Sequence, residues 1–462
     1  MSELTNRAKQ RLLEELLAAR SRRTAKAREP KPASPQSRRH KSSYGLDSIP
    51  GFRQMRLQKS AADLLELQNP FFQCHDALAG ATTSIKGREV LNFASYNYLG
   101  LNGDPRVKAA AQAAIERYGT SASASRLVAG ERPVHRKLER ALAELHGVED
   151  AVVMVSGHAT NVTTIGHIMG PRDLILHDAW IHNSALQGAT LSGAHRLSFP
   201  HNDHEAADRI LQDQRRRYER VLILLEGIYS MDGDLPDLAA FIDIKRRHDA
   251  ILLVDEAHSI GVLGKNGRGI AEHCSIDPNE IDIWMGTLSK TLSSCGGYIA
   301  GRADFVEYLK YTAPGFVYSV GMSPPLAAAA LASIQVMLEE PERIERLQAR
   351  GRLFLECARD AGLDVGTSEG FSVVPVITGN SIVATKLSQN LLERGINVLP
   401  IIHPAVPEKS ARLRFFLTSE HEEQQVRDTV AITAEELIKL QSERSSLRGL
   451  AVRLAMPKTP EP

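Results

Sequence analysis

The middle of the chain alternates short apolar runs with stretches of helical periodicity, and this alternation restricts the fold more than any other feature. The runs are Ala151-Val152-Val153-Met154-Val155, Leu174-Ile175-Leu176, Val221-Leu222-Ile223-Leu224-Leu225, Ile251-Leu252-Leu253-Val254 and Ile281-Asp282-Ile283-Trp284-Met285. A strand that is apolar on both faces must be covered on both, which predicts an α/β fold built on a mostly parallel sheet. Ligands of such sheets sit beyond the carboxyl ends of the strands. Ser156-Gly157-His158, Glu226-Gly227, Asp255 and Thr287 all fall there.

A chain of 462 residues exceeds what one core usually serves, so two domains and tails are expected. The predicted divisions are a basic tail over 1–45, an N-terminal segment over 46–95, a large ligand-binding domain over 96–325, a smaller C-terminal α/β domain over 326–440 and a disordered tail over 441–462. Within the basic tail, Leu12, Leu13, Leu16 and Leu17 recur at helical spacing, which suits either a short amphipathic helix or a solvated leader. Residues 21–43 are rich in Arg, Lys, Pro and Ser without periodicity and read as a disordered linker.

Net charge of +1 gives no global pull toward nucleic acid. No apolar run approaches the roughly 20 residues of a membrane span. Cys74, Cys274, Cys295 and Cys357 lie far apart with no signal peptide ahead of them, so they read as reduced thiols of a cytoplasmic protein. The Arg-rich start also fits an organelle leader, against which Glu14 and Glu15 argue. The histidines lack thiols at ligand spacing, so no metal site is expected.

Asp255 follows a buried strand, His258 comes one backbone turn later, and Thr287-Leu288-Ser289-Lys290 follows the next apolar run. An acid to hold a ring nitrogen protonated, a neighbouring imidazole, a phosphate-seeking hydroxyl and an imine-forming amine are what pyridoxal phosphate (PLP) needs from a protein. Asp255 could instead cap the turn that follows it, but capping would not explain why His258 stands three residues later. Ser156-Gly157-His158 opens a helix, where backbone N–H groups can hold a phosphate, though such turns also arise for packing alone. His182 lies past another strand and could stack on a planar ring or serve structure only.

As a set, these motifs resemble the α-oxoamine synthases, fold-type I PLP-dependent transferases that join an amino acid to an acyl thioester. The resemblance runs from about Asp47 to Leu440. It rests on Asn92-Phe93-Ala94-Ser95-Tyr96-Asn97-Tyr98-Leu99-Gly100, Ser125-Arg126 before Gly130, Ser156-Gly157-His158, His182-Asn183-Ser184, Glu226-Gly227-Ile228-Tyr229-Ser230-Met231-Asp232-Gly233-Asp234, Asp255-Glu256-Ala257-His258, Thr287-Leu288-Ser289-Lys290 and Arg412-Leu413-Arg414. It implies a large domain around a mostly parallel seven-stranded sheet, with a smaller C-terminal domain. Carried over residue by residue, it implies that Lys290 holds PLP as an imine and later removes the Cα proton. His182 would stack on the ring, Asp255 pair with the ring nitrogen, and His258 with Ser230 lie near the phenolic oxygen. Gly157, His158 and Thr287 would hold the phosphate, and Arg414 would clamp the amino-acid carboxylate with Asn97 and Tyr96 nearby.

The resemblance further implies a homodimer with active sites at the interface, where Ser319 of Tyr318-Ser319-Val320-Gly321-Met322 reaches the partner's phosphate. The chain departs from the family there, because further hydroxyl residues usually follow the aromatic, and again at His158, where Phe or Tyr is common. The expected reaction condenses glycine, alanine or serine with an acyl thioester, on coenzyme A or an acyl carrier protein, and releases carbon dioxide and a free thiol. The basic N-terminus would suit an acidic carrier. An aminotransferase of the same fold and a non-catalytic partner subunit are the alternatives, and an intact Lys290 with Asp255 argues against the second.

Overall fold

The computed structural model describes residues 45–64 and 67–455. The expected helix near the N-terminus and the basic linker lie outside the described residues. A 3-10 turn, Leu46–Ser48, and a helix, Pro50–Leu64, belong to a first compact unit. Residues from Leu67 onward form the second, which among the described residues holds every strand and the candidate site.

The strands of this second unit, in chain order, are β1 (Thr82–Ile85), β2 (Arg88–Asn92), β3 (Asp150–Met154), β4 (Leu174–Asp178), β5 (His195–Phe199), β6 (Val221–Glu226), β7 (Ile251–Asp255), β8 (Ile283–Thr287), β9 (Gly297–Gly301), β10 (Val373–Ile377), β11 (Ile396–Asn397), β12 (Pro400–Ile401) and β13 (Arg412–Phe416). The main sheet is seven-stranded in the order β3-β9-β8-β7-β6-β4-β5. Its pairs are parallel except the two made by β9.

Burial explains which strands were legible. All of β6 is buried and β7 nearly so, as continuous apolar runs require. β5 shows no apolar run because it is an edge strand, with His195, Arg196 and Ser198 exposed. β9 opens and closes on glycine around a buried Tyr298. The Tyr298 ring occupies the space of a side chain at Gly286, where a Cβ would stand 2.3 Å from it.

The smaller C-terminal part is built on an antiparallel sheet, β10-β13-β12. Leu413 and Phe415 point from β13 into the core, where Phe415 packs on Phe93 and Phe354 at centroid distances of 5.7 and 4.8 Å. A third sheet, β1-β2-β11, pairs the N-terminal hairpin with a strand from the C-terminal half. The hairpin turns through Lys86 and Gly87, both at positive φ, as a tight two-residue turn requires.

The last helix runs Glu423–Ala455, past residue 441 where a tail is expected from the sequence. Extending a nucleated helix fixes one residue per hydrogen bond, so a segment too weak to start a helix can still continue one. Among the described residues, no helix is long and apolar enough to cross a membrane. Cys74, Cys274 and Cys295 are exposed and unpaired, and Cys357 is partly buried and unpaired.

Candidate active site

β6, β7 and β8 end side by side, with Glu226 in register with Asp255 and Asp255 with Met285. Beyond these ends lies a cavity of about 240 Å³ lined by Tyr96, Gly157, His158, Asn161, His182, Ser184, Glu226, Ser230, Met231, Asp255, Ala257, His258, Met285, Thr287, Ser289, Lys290 and Arg414. The topology thus gathers residues more than 300 positions apart.

Asp255 is held by two donors: Asn161 Nδ2 reaches Oδ2 at 2.8 Å and the Ala257 amide reaches Oδ1 at 2.9 Å. Asn161 Nδ2 also donates to Ser184 Oγ at 2.9 Å, and Ser184 Oγ lies 2.7 Å from His182 Nδ1. His182 caps the helix Asn183–Ser192, its Nδ1 accepting the Ser184 amide at 3.2 Å. With Nδ1 an acceptor, the neutral ring carries its proton on Nε2. Burial lowers the His182 pKa, against the pull of Asp255. His258 Nδ1 lies 2.7 Å from the hydroxyl of fully buried Tyr98. Burial drives the His258 pKa down and the Tyr98 pKa up, so a neutral phenol and a neutral imidazole share this hydrogen bond.

Lys290 sits on the loop joining β8 to β9, which Leu288 closes by donating to the Gly296 carbonyl at 2.9 Å. Its Nζ stands 5.5 Å from the Tyr96 ring centroid. Burial brings the amine down to about 8, against Asp255 and Glu226. Glu226 moves the other way: burial and then the Asp255 charge push it up to about 8, opposed by Lys290 and the amides of His182 and Ser230.

The helix Gly157–Ile168 begins where β3 ends, with Ser156 Oγ accepting the Ala159 amide at 3.4 Å. A Cβ at Gly157 would stand 2.7 Å from Thr287 Oγ1, so the glycine keeps the helix start and the β8 end in contact. Thr287 Oγ1 donates to the Gly296 carbonyl at 3.1 Å and lies 2.8 Å from Ser289 Oγ.

Two arginines share one face of β13 and have different partners. Arg412 is committed, pairing with Asp232 at 2.6 Å in the interior. Arg414 donates to the Ser230 carbonyl at 2.9 Å and lies 4.7 Å over Phe416, while its buried Nε has no partner.

Most of the residues expected at the site line this cavity, and two do not. Asn97 donates to the Ala79 carbonyl at 3.1 Å and accepts the Asn102 amide at 3.1 Å. It faces a neighbouring cavity of about 380 Å³ that shares Tyr96, Ser289 and Lys290 with the first. Ser319 lies between exposed Tyr318 and exposed Val320, away from the lining. The sequence places Glu226 at a ligand-facing strand end but, as with Asn161, Ser184 and Tyr98, assigns it no role. Glu226 carried the signal that picked out Asp255, an acid closing an apolar run. Asn161 stands one helical turn past Gly157 and so on the same face.

A model of the aminotransferase class I and II family matches residues 88–431. The chain is 37% identical over 389 residues to 8-amino-7-oxononanoate synthase of Symbiobacterium thermophilum, covering 84% of this chain and 96% of that one. It is 40% identical over 358 residues to the same enzyme of Geobacter sulfurreducens, covering 77% and 90%. The Sphingomonas wittichii serine palmitoyltransferase structure superposes with a TM-score of 0.81 at 29% identity, covering 84% of this chain and 98% of that one. The chain belongs to the α-oxoamine synthases, within the aminotransferase class I and II family. As an α-oxoamine synthase it is a PLP-dependent C-acyltransferase of fold-type I. The cavity fits that cofactor: a buried amine, an acceptor held by two N–H donors, and a helix start kept open by glycine surround it.

Proposed function

We propose that this α-oxoamine synthase condenses a small amino acid, glycine, alanine or serine, with an acyl thioester to give an α-amino ketone, carbon dioxide and a free thiol. In the balance of bonds, the Cα–H and thioester C–S bonds break as the acyl carbon joins Cα, the Cα–carboxylate bond then breaks and Cα regains a proton, and the departing thiolate takes a proton from solvent. The observation that carries this reading is Arg414, a guanidinium with an unpartnered buried Nε on the cavity that also holds Lys290. Arg414 suits an amino-acid carboxylate because its planar fork binds two oxygens at once.

When bound, PLP delocalises the electron pair left at Cα. Lys290 would hold the cofactor and, with its amine brought near neutrality by burial, take the Cα proton and return one later. Asp255 would keep the ring nitrogen protonated, and His182, locked through Ser184 and Asn161, would lie against the ring. His258, oriented by Tyr98, and Ser230 would stand near the phenolic oxygen. Gly157, His158 and Thr287 would hold the phosphate.

A homodimer in the cytoplasm belongs to the same proposal, with Ser319 turned toward a second copy on a segment whose Tyr318 is 86% exposed. The test is release of labelled carbon dioxide from carboxyl-labelled glycine, alanine and serine, each with acyl groups on coenzyme A and on a carrier protein. Release that requires both substrates supports condensation. Amino transfer to the cofactor without carbon dioxide would refute it.

A further inference from the structure

Glu226 has no task in the reaction as derived, yet it is the most conspicuous acid of the cavity. It closes β6 in register with Asp255, is 3% exposed and lines the cavity, and its Oε1 lacks a hydrogen-bond partner. Both oxygens of Asp255, by contrast, accept N–H groups. A buried polar atom left without a partner is costly, so its occurrence on a ligand cavity points to a partner that the ligand supplies.

The charges facing Glu226 decide its form. Asp255 adds negative charge from β7 and raises its pKa, while Lys290, positive on the loop after β8, and the amides of His182 and Ser230 lower it. Tyr229 lies on the segment that follows, with a phenol held protonated by burial, and His258 and Arg414 stand on the same cavity wall. Burial and Asp255 prevail, as the carboxyl displaced to about 8 records. A buried carboxyl beside a second one resists ionisation, because each charge raises the cost of the other. An un-ionised carboxyl can donate, which Asp255, filled with N–H donors, is not placed to do.

We propose that Glu226 stands un-ionised in the resting enzyme and donates its carboxyl proton in a hydrogen bond to an oxygen of the bound cofactor. Asp255 and Glu226 thereby divide the acceptor and donor tasks of cofactor recognition between two neighbouring strand ends. This inference rests on the reading that PLP occupies the cavity.

Infrared difference spectra of wild type against E226Q test it directly. At neutral pH the wild type shows a carboxylic-acid band that E226Q lacks, and the band fades as pH rises through about 8. Loading PLP shifts that band to lower frequency, as a new hydrogen bond must. In E226Q the midpoint of the pH-dependent visible absorbance of lysine-bound PLP moves by about one pH unit or more. Absence of the acid band at neutral pH, or a band unmoved by PLP, overturns the proposal. The infrared measurement decides the case even for an E226Q protein that loads PLP poorly. A wild type with no visible absorbance from lysine-bound PLP overturns the reading of the cavity itself.

Discussion

Two walls enclose the cavity, and they are built differently. One consists of the carboxyl ends of β6, β7 and β8, backed by strands buried on both faces and joined by continuous parallel pairing. The other comes from β13 of the small antiparallel sheet, with Tyr96 packed against Phe416 at 4.8 Å. The first wall presents Glu226, Asp255 and Thr287 at spacings set by strand register. The second presents Arg414, whose guanidinium rests on a single carbonyl contact to Ser230 and on the Phe416 ring. The contrast suggests a division of labour, with the large-sheet wall holding the cofactor and the small-sheet wall selecting the amino acid.

The sharpest break of this comparison is Lys290→Ala, which removes the amine from the loop behind the first wall. Turnover should fall by about 10,000-fold, the upper end of what a positioned acid–base group contributes, with secondary structure unchanged by circular dichroism. Next comes Asp255→Asn, which keeps the shape but removes the charge. A loss of about 100- to 1,000-fold in kcat, with cofactor still bound, is expected in carbon dioxide release.

The second wall should respond in KM instead. Arg414→Ala should lower kcat/KM for the amino acid by roughly 30- to 1,000-fold, about 2–4 kcal/mol, and leave KM for the acyl thioester near wild type. Arg414→Lys should recover only part, because an ammonium cannot bind two oxygens in one plane. Equal losses for both substrates would show that the walls do not divide the work as described.

The smallest expected effect lies behind the first wall. His201 Nδ1 and Nε2 bridge Asp178 at 2.9 Å and Asp234 at 2.8 Å, tying the end of β4 to the loop after β6. Against burial, the two carboxylates lift His201 to about 9. Its pKa is raised on folding, so its contribution to stability is complete below the unfolded value of about 6.5 and is lost as pH rises through about 9. Thermal melts from pH 6 to 10 should therefore show a decline that His201→Asn abolishes.

The first wall was legible because its signals are local. A fully buried strand must be apolar along its length, and a polar residue at its end is visible against that background. The same logic reached Asp255, Thr287 and Glu226, although it assigned Glu226 no task. The second wall offered no local signal of pattern or spacing: Arg412 and Arg414 sit in one short motif, the family resemblance names Arg414, and the fold sets Arg414 on the cavity while Arg412 pairs with Asp232. Asn97, expected near the substrate from its place in a family motif, is held by Ala79 and Asn102 on the neighbouring cavity that shares Tyr96, Ser289 and Lys290 with the first.

What the chain carries in its own order of residues is the α/β class, the parallel sheet, the strand-end chemistry and the lysine after β8, because each follows from hydrophobic pattern and short-range spacing. Tertiary structure alone decided the antiparallel insertion of β9, the pairing of Arg412 with Asp232, the Asn161–Ser184–His182 chain, and the pairing of Glu226 with Asp255. These depend on which strands become neighbours and which groups lose water together. Burial and proximity of that kind set the protonation of Glu226 and Lys290, and no reading along one dimension contains them.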